Sequence, residues 1–354
     1  MKKSALALAV MAALFLDPAA KAQSDVQIYG IIDAGIEYAN HAAPGDGSVV
    51  RVVSGGKNTS RWGFRGSEDL GAGLKAVFNL EGAIGMDTGD TGGGPLFKRQ
   101  ANVGLEGSLG RIVIGRSFTT TYDLVSKFDP MGYAPNYSWA TTGSATGASK
   151  YGMTTAFDNL IKYTGHSGGF TYGATVGLGE QAAHAADGRK YAVGGTWSGD
   201  GLAFMATLEQ VNGNALPAGG ARDRTRAYHL GAAYQWGRWR TTMAMRGFEL
   251  ASATPARADL RANTYWAGVS YLVGNVTLTG AAYHIDTRNL PASRDADPTM
   301  LVLRGMVSLS KRTTLYAVAA HARAAHGQAI GLSRDELGSA STQSGLTTGI
   351  QYRF

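Results

Sequence analysis

The sequence contains no cysteine and only nine prolines among its 354 residues. Disulfide bonds therefore cannot hold the fold together, although small exported domains often depend on them, so a large sheet or core must do so. The scarcity of proline argues against a disordered chain rich in proline and glycine. Glycine is abundant, at 50 residues, about twice its usual share, and this fits tight turns between closely packed strands.

Long apolar runs are missing as well, because no segment after the N-terminus approaches the roughly 18 residues of a membrane-spanning helix. The N-terminus itself is typical of a secretory signal peptide. A basic start at residues 1–3 precedes an apolar stretch from Ala5 to Leu16, and Ala20-Lys21-Ala22 has the form of a cleavage site. We expect a signal peptide over residues 1–22 and one mature domain over 23–354; a buried N-terminal helix is the alternative.

Runs of basic residues are also missing, although the formal net charge is +7. Loss of the signal peptide would remove Lys2, Lys3, Lys21 and Asp17, a net +2, which leaves about +5 on the mature chain. A basic protein invites a nucleic-acid interpretation, but the basic residues are dispersed singly and no recognition helix is apparent. We therefore predict no nucleic-acid partner.

Alternation of apolar and polar residues is the dominant pattern, in segments of about ten residues between turns. One face of the segment 26–38 is largely apolar, while the other carries Gln27, Asp33 and Glu37. Short turns alternate with long connections, such as 40–57 and 118–155, as in barrels with short periplasmic turns and long outer loops.

We predict an all-β fold, a sixteen-stranded antiparallel transmembrane β-barrel. The count is even, as in single-chain bacterial barrels, and sixteen strands enclose a water-filled lumen. The predicted strands are 26–39, 58–67, 72–85, 97–107, 110–117, 156–165, 169–180, 189–198, 201–211, 224–236, 238–250, 261–273, 275–287, 298–310, 312–324 and 344–354.

Several stretches resemble the general bacterial porins, the trimeric sixteen-stranded class of Gram-negative outer-membrane protein. They are Val26–Gly35, Ser60–Gly71, Arg99–Leu105 followed by Ile114–Arg116, Leu309–Ala317 and Gly349–Phe354. The resemblance implies passive diffusion of small hydrophilic solutes and ions through a homotrimer, with a long third loop folded into each lumen. Such a barrel would contact outer-membrane lipids and lipopolysaccharide. It also implies that Phe354 is read by the barrel-assembly machinery; an aromatic residue at the membrane interface is the blander interpretation.

The selectivity of such a channel depends on its width and on charged side chains at its narrowest point. Arg61 and Arg65 share one face of the second predicted strand, and an arginine facing lipid at mid-depth would cost about 2–4 kcal/mol, so both should face the lumen. By resemblance, Arg61 and Arg99 match two arginines of the family's constriction. Alternation does not support Arg99, for which a loop-end position is the alternative. Where many family members carry a third arginine this sequence has Ala156, and Lys162 is expected to supply part of the missing charge.

The acidic side of the constriction is expected from the loop 118–155, whose carboxylates are Asp123 and Asp129. Fixed opposite charges across a narrow pore create a transverse field that orients polar solutes. Both residues could instead cap local turns, and Asp129-Pro130 has the form of a turn start. Because the lumen faces hold more basic than acidic residues, the sequence predicts a mild preference for anions.

An enzyme built on a barrel is a second candidate function, and an adhesin or structural barrel with a closed lumen is a third. An enzyme needs a nucleophile with a base and an orienting group, and no sequence pattern gives Ser167 and His166 a third partner. Inward polar positions on nearly every strand argue against a plugged apolar interior. No cofactor or metal is predicted, because the histidines form no ligand-spaced pair and Asp87 and Asp90 lack the spacing of a calcium loop.

Overall fold

The computed structural model describes residues 24–141, 151–182, 186–216, 220–255, 257–291 and 295–354. Strands make up most of these residues, together with a short α-helix, α1 (Thr120–Val125), and a 3-10 turn (Ser126–Phe128). Within the described ranges, no helix has the length and apolar character needed to cross a membrane. The predicted signal peptide over residues 1–22 lies outside them.

The described chain contains seventeen strand segments, numbered here in chain order. They are β1 (Ser24–Ala42), β2 (Gly47–Ser54), β3 (Arg61–Gly71), β4 (Leu74–Ala83), β5 (Gln100–Gly107), β6 (Gly110–Phe118), β7 (Ala156–Ser167), β8 (Phe170–Gly177), β9 (Lys190–Gly199), β10 (Leu202–Ala215), β11 (Arg222–Trp236), β12 (Trp239–Ala251), β13 (Leu260–Val273), β14 (Val276–Arg288), β15 (Thr299–Ser308), β16 (Thr313–Arg323) and β17 (Thr342–Arg353).

The sheet closes on itself because the first strand pairs with the last. Ile31 of β1 lies opposite Arg353 of β17, and the antiparallel register continues to Ala39 and Gly345. β2 and β3 both pair with β1, β2 along residues 34–42 and β3 along residues 24–31. They therefore form one interrupted strand of the wall. The fold is a closed sixteen-stranded antiparallel β-barrel, and the predicted fold class is confirmed.

The prediction of a long loop at 40–57 is wrong. The second strand of the wall begins at Gly47, earlier than the predicted start at residue 58. The chain turns within residues 43–46, and β2 begins at Gly47. Gly45 and Asp46 adopt positive φ angles of 106° and 55°, which are found in tight turns and are easily adopted by glycine. The cluster of turn-forming residues here therefore marks a four-residue turn. Each of the other fifteen predicted strands matches an observed strand to within four residues at either end.

Side chains alternate between the two faces of the wall, as a barrel in lipid requires. On β1, Ile28, Ile36 and Tyr38 are exposed on the outer face, whereas Asp33 and Glu37 are buried on the inner face. Exposed large apolar residues recur on the outer face of almost every strand. Exposing this apolar surface to water would be unfavourable, whereas contact with the hydrocarbon of a bilayer is favourable. The outer face is therefore the lipid face.

An aromatic cluster marks the short-turn end of the outer face. The ring centroid of Trp239 lies 6.4 Å from that of Trp236 and 4.4 Å from that of Tyr271. These residues flank the turns at 237–238 and 274–275. Aromatic girdles lie at both interfaces of outer-membrane barrels, and short turns face the periplasm. The cluster therefore marks the periplasmic interface.

The largest apolar cluster of the described chain joins the segment after β6 to one half of the wall. The segment contributes Val125, Phe128, Tyr137 and Trp139, each at most 2% exposed. The wall contributes residues of β10–β16, among them Met205, Ala233, Phe248, Trp266, Tyr283, Met300, Val302, Tyr316 and Val318. Strands β3–β6 contribute nothing to this cluster. Apolar packing therefore holds the segment against the β10–β16 half of the wall.

Candidate pore constriction

Backbone carbonyls of the segment 119–141 accept hydrogen bonds from side chains of β13 and β15. Trp266 Nε1 donates to Phe128 O at 3.0 Å, and Arg304 donates to Pro130 O and Met131 O at 3.1 and 3.0 Å. One guanidinium group can serve two carbonyls because its N–H donors form a planar fork. Arg304 is buried, so these bonds are shielded from competing water.

Further hydrogen bonds tie the same segment to distant parts of the wall. Asn136 Nδ2 donates to Glu37 Oε1 of β1 at 2.9 Å, and Thr120 N donates to Thr175 Oγ1 of β8 at 3.1 Å. Together with the bonds to β13 and β15, these contacts extend over more than half of the closed wall. The segment is therefore held at both ends and in the middle.

Arg61 and Arg99 meet at one carboxylate on the inner face of β3–β5. Arg99 Nε lies 2.7 Å from Glu81 Oε1, and Arg61 Nε lies 3.7 Å from Glu81 Oε2. Tyr29 OH donates to the same Oε2 atom at 2.9 Å. Glu81 is buried, and the two guanidinium groups share its single negative charge.

Arg99 reaches this cluster although alternation along the strand argued against it. β5 begins at Gln100, so Arg99 lies just before the strand, and its side-chain direction does not follow the strand's alternation. Its guanidinium carbon lies 5.1 Å from the ring centroid of Phe118, within the range of a cation–π interaction. The structure thus brings together two of the predicted basic residues, Arg61 and Arg99.

Arg65 lies on the same inner face but has different neighbours. Its Nε donates to Gln27 Oε1 at 3.1 Å, and its guanidinium carbon lies 5.0 Å from the ring centroid of Tyr29. It is exposed, and no carboxylate of the described chain pairs with it. Arg65 therefore contributes an uncompensated positive charge to the lumen.

Lys162 and Asp123 form an ion pair rather than facing each other across the pore. Lys162 Nζ also donates to Phe118 O at 2.9 Å and is buried. The opposite charges of the pair cancel. Lys162 therefore does not replace the positive charge that a third arginine supplies in many family members at the position of Ala156. The negative charge of Asp123 is compensated in the same way.

We expect the double substitution Lys162→Gln with Asp123→Asn to change ion selectivity by less than about twofold, since a close pair of opposite charges has little field at a distance. Asp123→Asn alone should shift selectivity toward anions, and Lys162→Gln alone toward cations. The reversal potential of each variant in a salt gradient measures the shift. A double variant that shifts as far as either single variant would show that the two charges act separately.

Asp129 is buried and its carboxylate is fully engaged. It accepts from the backbone N–H groups of Met131 and Tyr133 at 3.2 and 2.7 Å, and from Ser138 Oγ at 2.7 Å. Tyr283 OH of β14 also donates to it. These contacts are those of a turn-capping carboxylate that also anchors the segment, and they favour the turn alternative over a role in the pore.

Phe354 completes the seam between the two ends of the chain. Its N–H donates to Gly30 O, and its carbonyl accepts from Gly30 N, both at 3.2 Å. A Cβ atom at Gly30 would lie 2.4 Å from the Phe354 ring, so only glycine leaves room for that ring. The assembly-signal role of Phe354 stays a prediction.

Ala156, the position where many family members carry a third arginine, begins β7 and lies opposite Phe118 of β6.

Sequence reasoning missed the roles of Glu81 and Arg304. Glu81 lies on the inner face of β4, and its partners depend on how β3, β4 and β5 pair. Arg304 lies on the inner face of β15, whereas the neighbouring Leu301 and Leu303 are exposed on the outer face. An arginine at an inward position was the available signal, and nothing local indicated that it binds a loop.

The other candidate chemistries gain no support from the described residues. Among them, no group of three or more His, Asp and Glu side chains could hold a metal ion. His166 Nδ1 lies 3.0 Å from Thr171 Oγ1, so the histidine beside Ser167 is hydrogen-bonded to another residue.

Comparison with known proteins gives consistent matches. A family model described as Gram-negative porin matches residues 5–327. Outer membrane porin protein 32 of Delftia acidovorans is 33% identical over 99% of this chain and 98% of its own. An outer membrane porin protein of Bordetella pertussis is 30% identical over 91% of this chain and 94% of its own. A solved anion-selective porin from Comamonas acidovorans is 28% identical, covers 94% of this chain and 100% of its own, and superposes with a TM-score of 0.79.

Proposed function

The chain belongs to the Gram-negative porin family, and on this premise we propose that it is a passive outer-membrane channel for small hydrophilic solutes and ions that mildly prefers anions. Its relatives are outer-membrane porins, and its apolar outer face and closed wall match that location. The contacts of segment 119–141 with distant strands support a loop that crosses and narrows the lumen. Residues 142–150 of that loop lie outside the described residues.

The charge balance beside this loop is the observation that carries the anion preference. On the β3–β5 side of the lumen, Arg61, Arg65 and Arg99 stand against the carboxylate of Glu81, three positive charges less one negative, which leaves +2 there. The loop carboxylate Asp123 is compensated by Lys162. Low-dielectric walls focus this field on ions in the narrow passage. The similar porin from Comamonas acidovorans is described as anion-selective, in agreement with this sign.

We also propose how the protein is exported and assembled. Residues 1–22 are removed on export, and the barrel-assembly machinery recognises the terminal strand that ends in Phe354. The mature barrels associate as a homotrimer surrounded by outer-membrane lipids and lipopolysaccharide. Each subunit keeps its own channel, because the constriction residues described above belong to one chain.

Insertion of the purified protein into planar bilayers, together with its native mass in mild detergent, tests this proposal. We expect a trimeric mass and insertions that close in three equal steps, one for each channel. Vesicles containing the protein should also swell in solutions of small neutral sugars. A monomeric mass would contradict the trimer, and insertion without conductance would contradict the channel and favour a closed structural barrel.

A further inference from the structure

The connection between β2 and β3 places a lysine on the inner side of the wall. Residues 55–60 leave the sheet there, and Asn58 N donates to Asp33 Oδ2 of β1 at 2.9 Å. Asn58 Nδ2 also donates to Gly132 O at 3.3 Å, so the connection touches the segment 119–141. Lys57 lies in the middle of this connection, and its backbone is therefore held beside the narrow passage.

Arg353 of β17 reaches the same place from the neighbouring strand. It lies in register with Ile31 of β1, which in turn lies in register with Arg61 of β3. Arg353 and Arg61 therefore share the inner face, two strand spacings or about 10 Å apart. Arg353 N donates to Arg312 O of the short turn before β16 at 2.9 Å. Because short turns face the periplasm, Arg353 lies on the periplasmic side of the constriction arginines.

These two cationic side chains converge on one neutral oxygen atom. Lys57 Nζ donates to Gln351 Oε1 at 2.8 Å, and Arg353 Nε donates to the same atom at 3.3 Å. Within the described ranges, neither side chain forms an ion pair with a carboxylate. We call Lys57, Gln351 and Arg353 the cationic clamp. An amide oxygen does not cancel either positive charge, so the clamp attracts anions.

The amide of Gln351 is held in one orientation. Its Nε2 donates to Asp33 Oδ2 at 2.9 Å and to Asn58 Oδ1 at 2.8 Å. An ionised carboxylate only accepts hydrogen bonds, so the amide cannot be turned round, and Oε1 is a fixed acceptor within the clamp. Asp33 is fully buried and also accepts from Tyr316 OH at 2.6 Å.

The clamp keeps a positive charge when Asp33 is included. Lys57 and Arg353 against Asp33 are two positive charges less one negative, which leaves +1. Lys57 is half-buried and Arg353 is exposed on the inner face, so an anion in the lumen can reach both. An anion that passes the constriction arginines therefore meets a second positive site on the periplasmic side.

We propose that the cationic clamp binds inorganic phosphate in its protonated form during passage, an inference that rests on the proposed channel function. The planar fork of Arg353 and the ammonium group of Lys57 would donate to phosphate oxygens. When both cations turn to the anion, Gln351 Oε1 is released to accept the O–H of the phosphate. Sulfate has no O–H to donate, and a site with a fixed polar group rejects an analogue that leaves this group unpaired.

Block of the chloride current measures binding at the clamp. The conductance of the purified protein is recorded in dilute KCl while potassium phosphate or potassium sulfate is added. In mildly acidic buffer phosphate carries mostly one negative charge and sulfate carries two, so charge alone would favour sulfate. We expect half-block at a phosphate concentration at least about tenfold below that of sulfate, because an unpaired polar group costs about that factor.

The double variant Lys57→Gln with Arg353→Gln should raise the half-blocking phosphate concentration at least about tenfold, since each lost bond is charge-assisted. Either single substitution should act in the same direction, so the test does not depend on folding of the double variant. The matched control is Lys311→Gln with Arg312→Gln, which removes two positive charges from an exposed periplasmic turn. This control should leave the phosphate block unchanged.

Three results would overturn the proposal while the channel still conducts. They are equal phosphate block in the wild type and the Lys57 and Arg353 variants, block by sulfate at or below the phosphate concentration, and an equal loss of block in the control. A wild type that inserts without any conductance in KCl would instead contradict the channel function, and the role of the clamp with it.

Discussion

Replacing Glu81 by glutamine is expected to increase the preference of the channel for anions about fivefold. The substitution removes the carboxylate that Arg61 and Arg99 share. A unit charge about 8 Å from a passing ion in water changes its energy by about 0.5 kcal/mol. The change has opposite signs for chloride and potassium, so their ratio shifts by about 1 kcal/mol, or about fivefold. The reversal potential in a KCl gradient measures this ratio.

The matched control for this substitution is Glu106→Gln. Glu106 lies near the periplasmic end of β5, is 46% exposed, and pairs with Arg111 at 3.6 Å. Its charge is farther from the narrow passage and better screened by salt, so its removal should change selectivity much less. If Glu81→Gln leaves the selectivity unchanged or increases the preference for cations, the charge of Glu81 does not act on the permeating ions as proposed.

Replacing Arg304 by alanine is expected to raise the single-channel conductance and to make the current fluctuate. Arg304 donates to the carbonyls of Pro130 and Met131, and hydrogen bonds to a charged group contribute about 1.5–3 kcal/mol each. Loss of both would weaken the docked state of segment 119–141 by about 3–6 kcal/mol. Trp266 and Tyr283 still hold the segment, so we expect partial release. Single-channel recordings provide the measurement.

Lys311→Gln is the control for Arg304→Ala, because Lys311 lies in the exposed turn between β15 and β16. It removes one positive charge without touching the segment, and its conductance should equal that of the wild type. Folding of both variants is checked by the heat resistance of the trimer on electrophoresis. A folded Arg304→Ala channel with unchanged conductance and quiet current would show that the segment does not limit the pore.

The barrel was predictable because its signal is local. Each strand alternates between lipid and lumen, and the pattern survives in every strand whatever its partner. The error at 40–57 arose where proline, glycine and aspartate gather in four residues, since composition alone does not give the length of a connection. Alternation in β2 was present, with Val50 and Val52 exposed and Val53 buried, but the turn signal outweighed it.

The constriction was predictable only in part. Arg61 and Arg65 follow from alternation, because they lie within a regular strand. The direction of Arg99 does not, because it precedes its strand. The pairing of Lys162 with Asp123 joins residues 39 positions apart, and it depends on where the third loop lies against the wall. The turn-capping contacts of Asp129 were one of the two alternatives that the Asp-Pro pattern left open.

The most direct test of the proposed mild anion preference is the zero-current potential of the wild-type channel in a KCl gradient, compared with that of Arg61→Ser. We expect a potential of anion-selective sign that shrinks in the variant, because one of the three arginines beside Glu81 is lost. The dilute side should be near about 0.1 M, where the Debye length is about 10 Å, since stronger salt screens the difference. A cation-selective wild type would contradict the proposed anion preference, because it would show that carboxylates dominate the narrow passage.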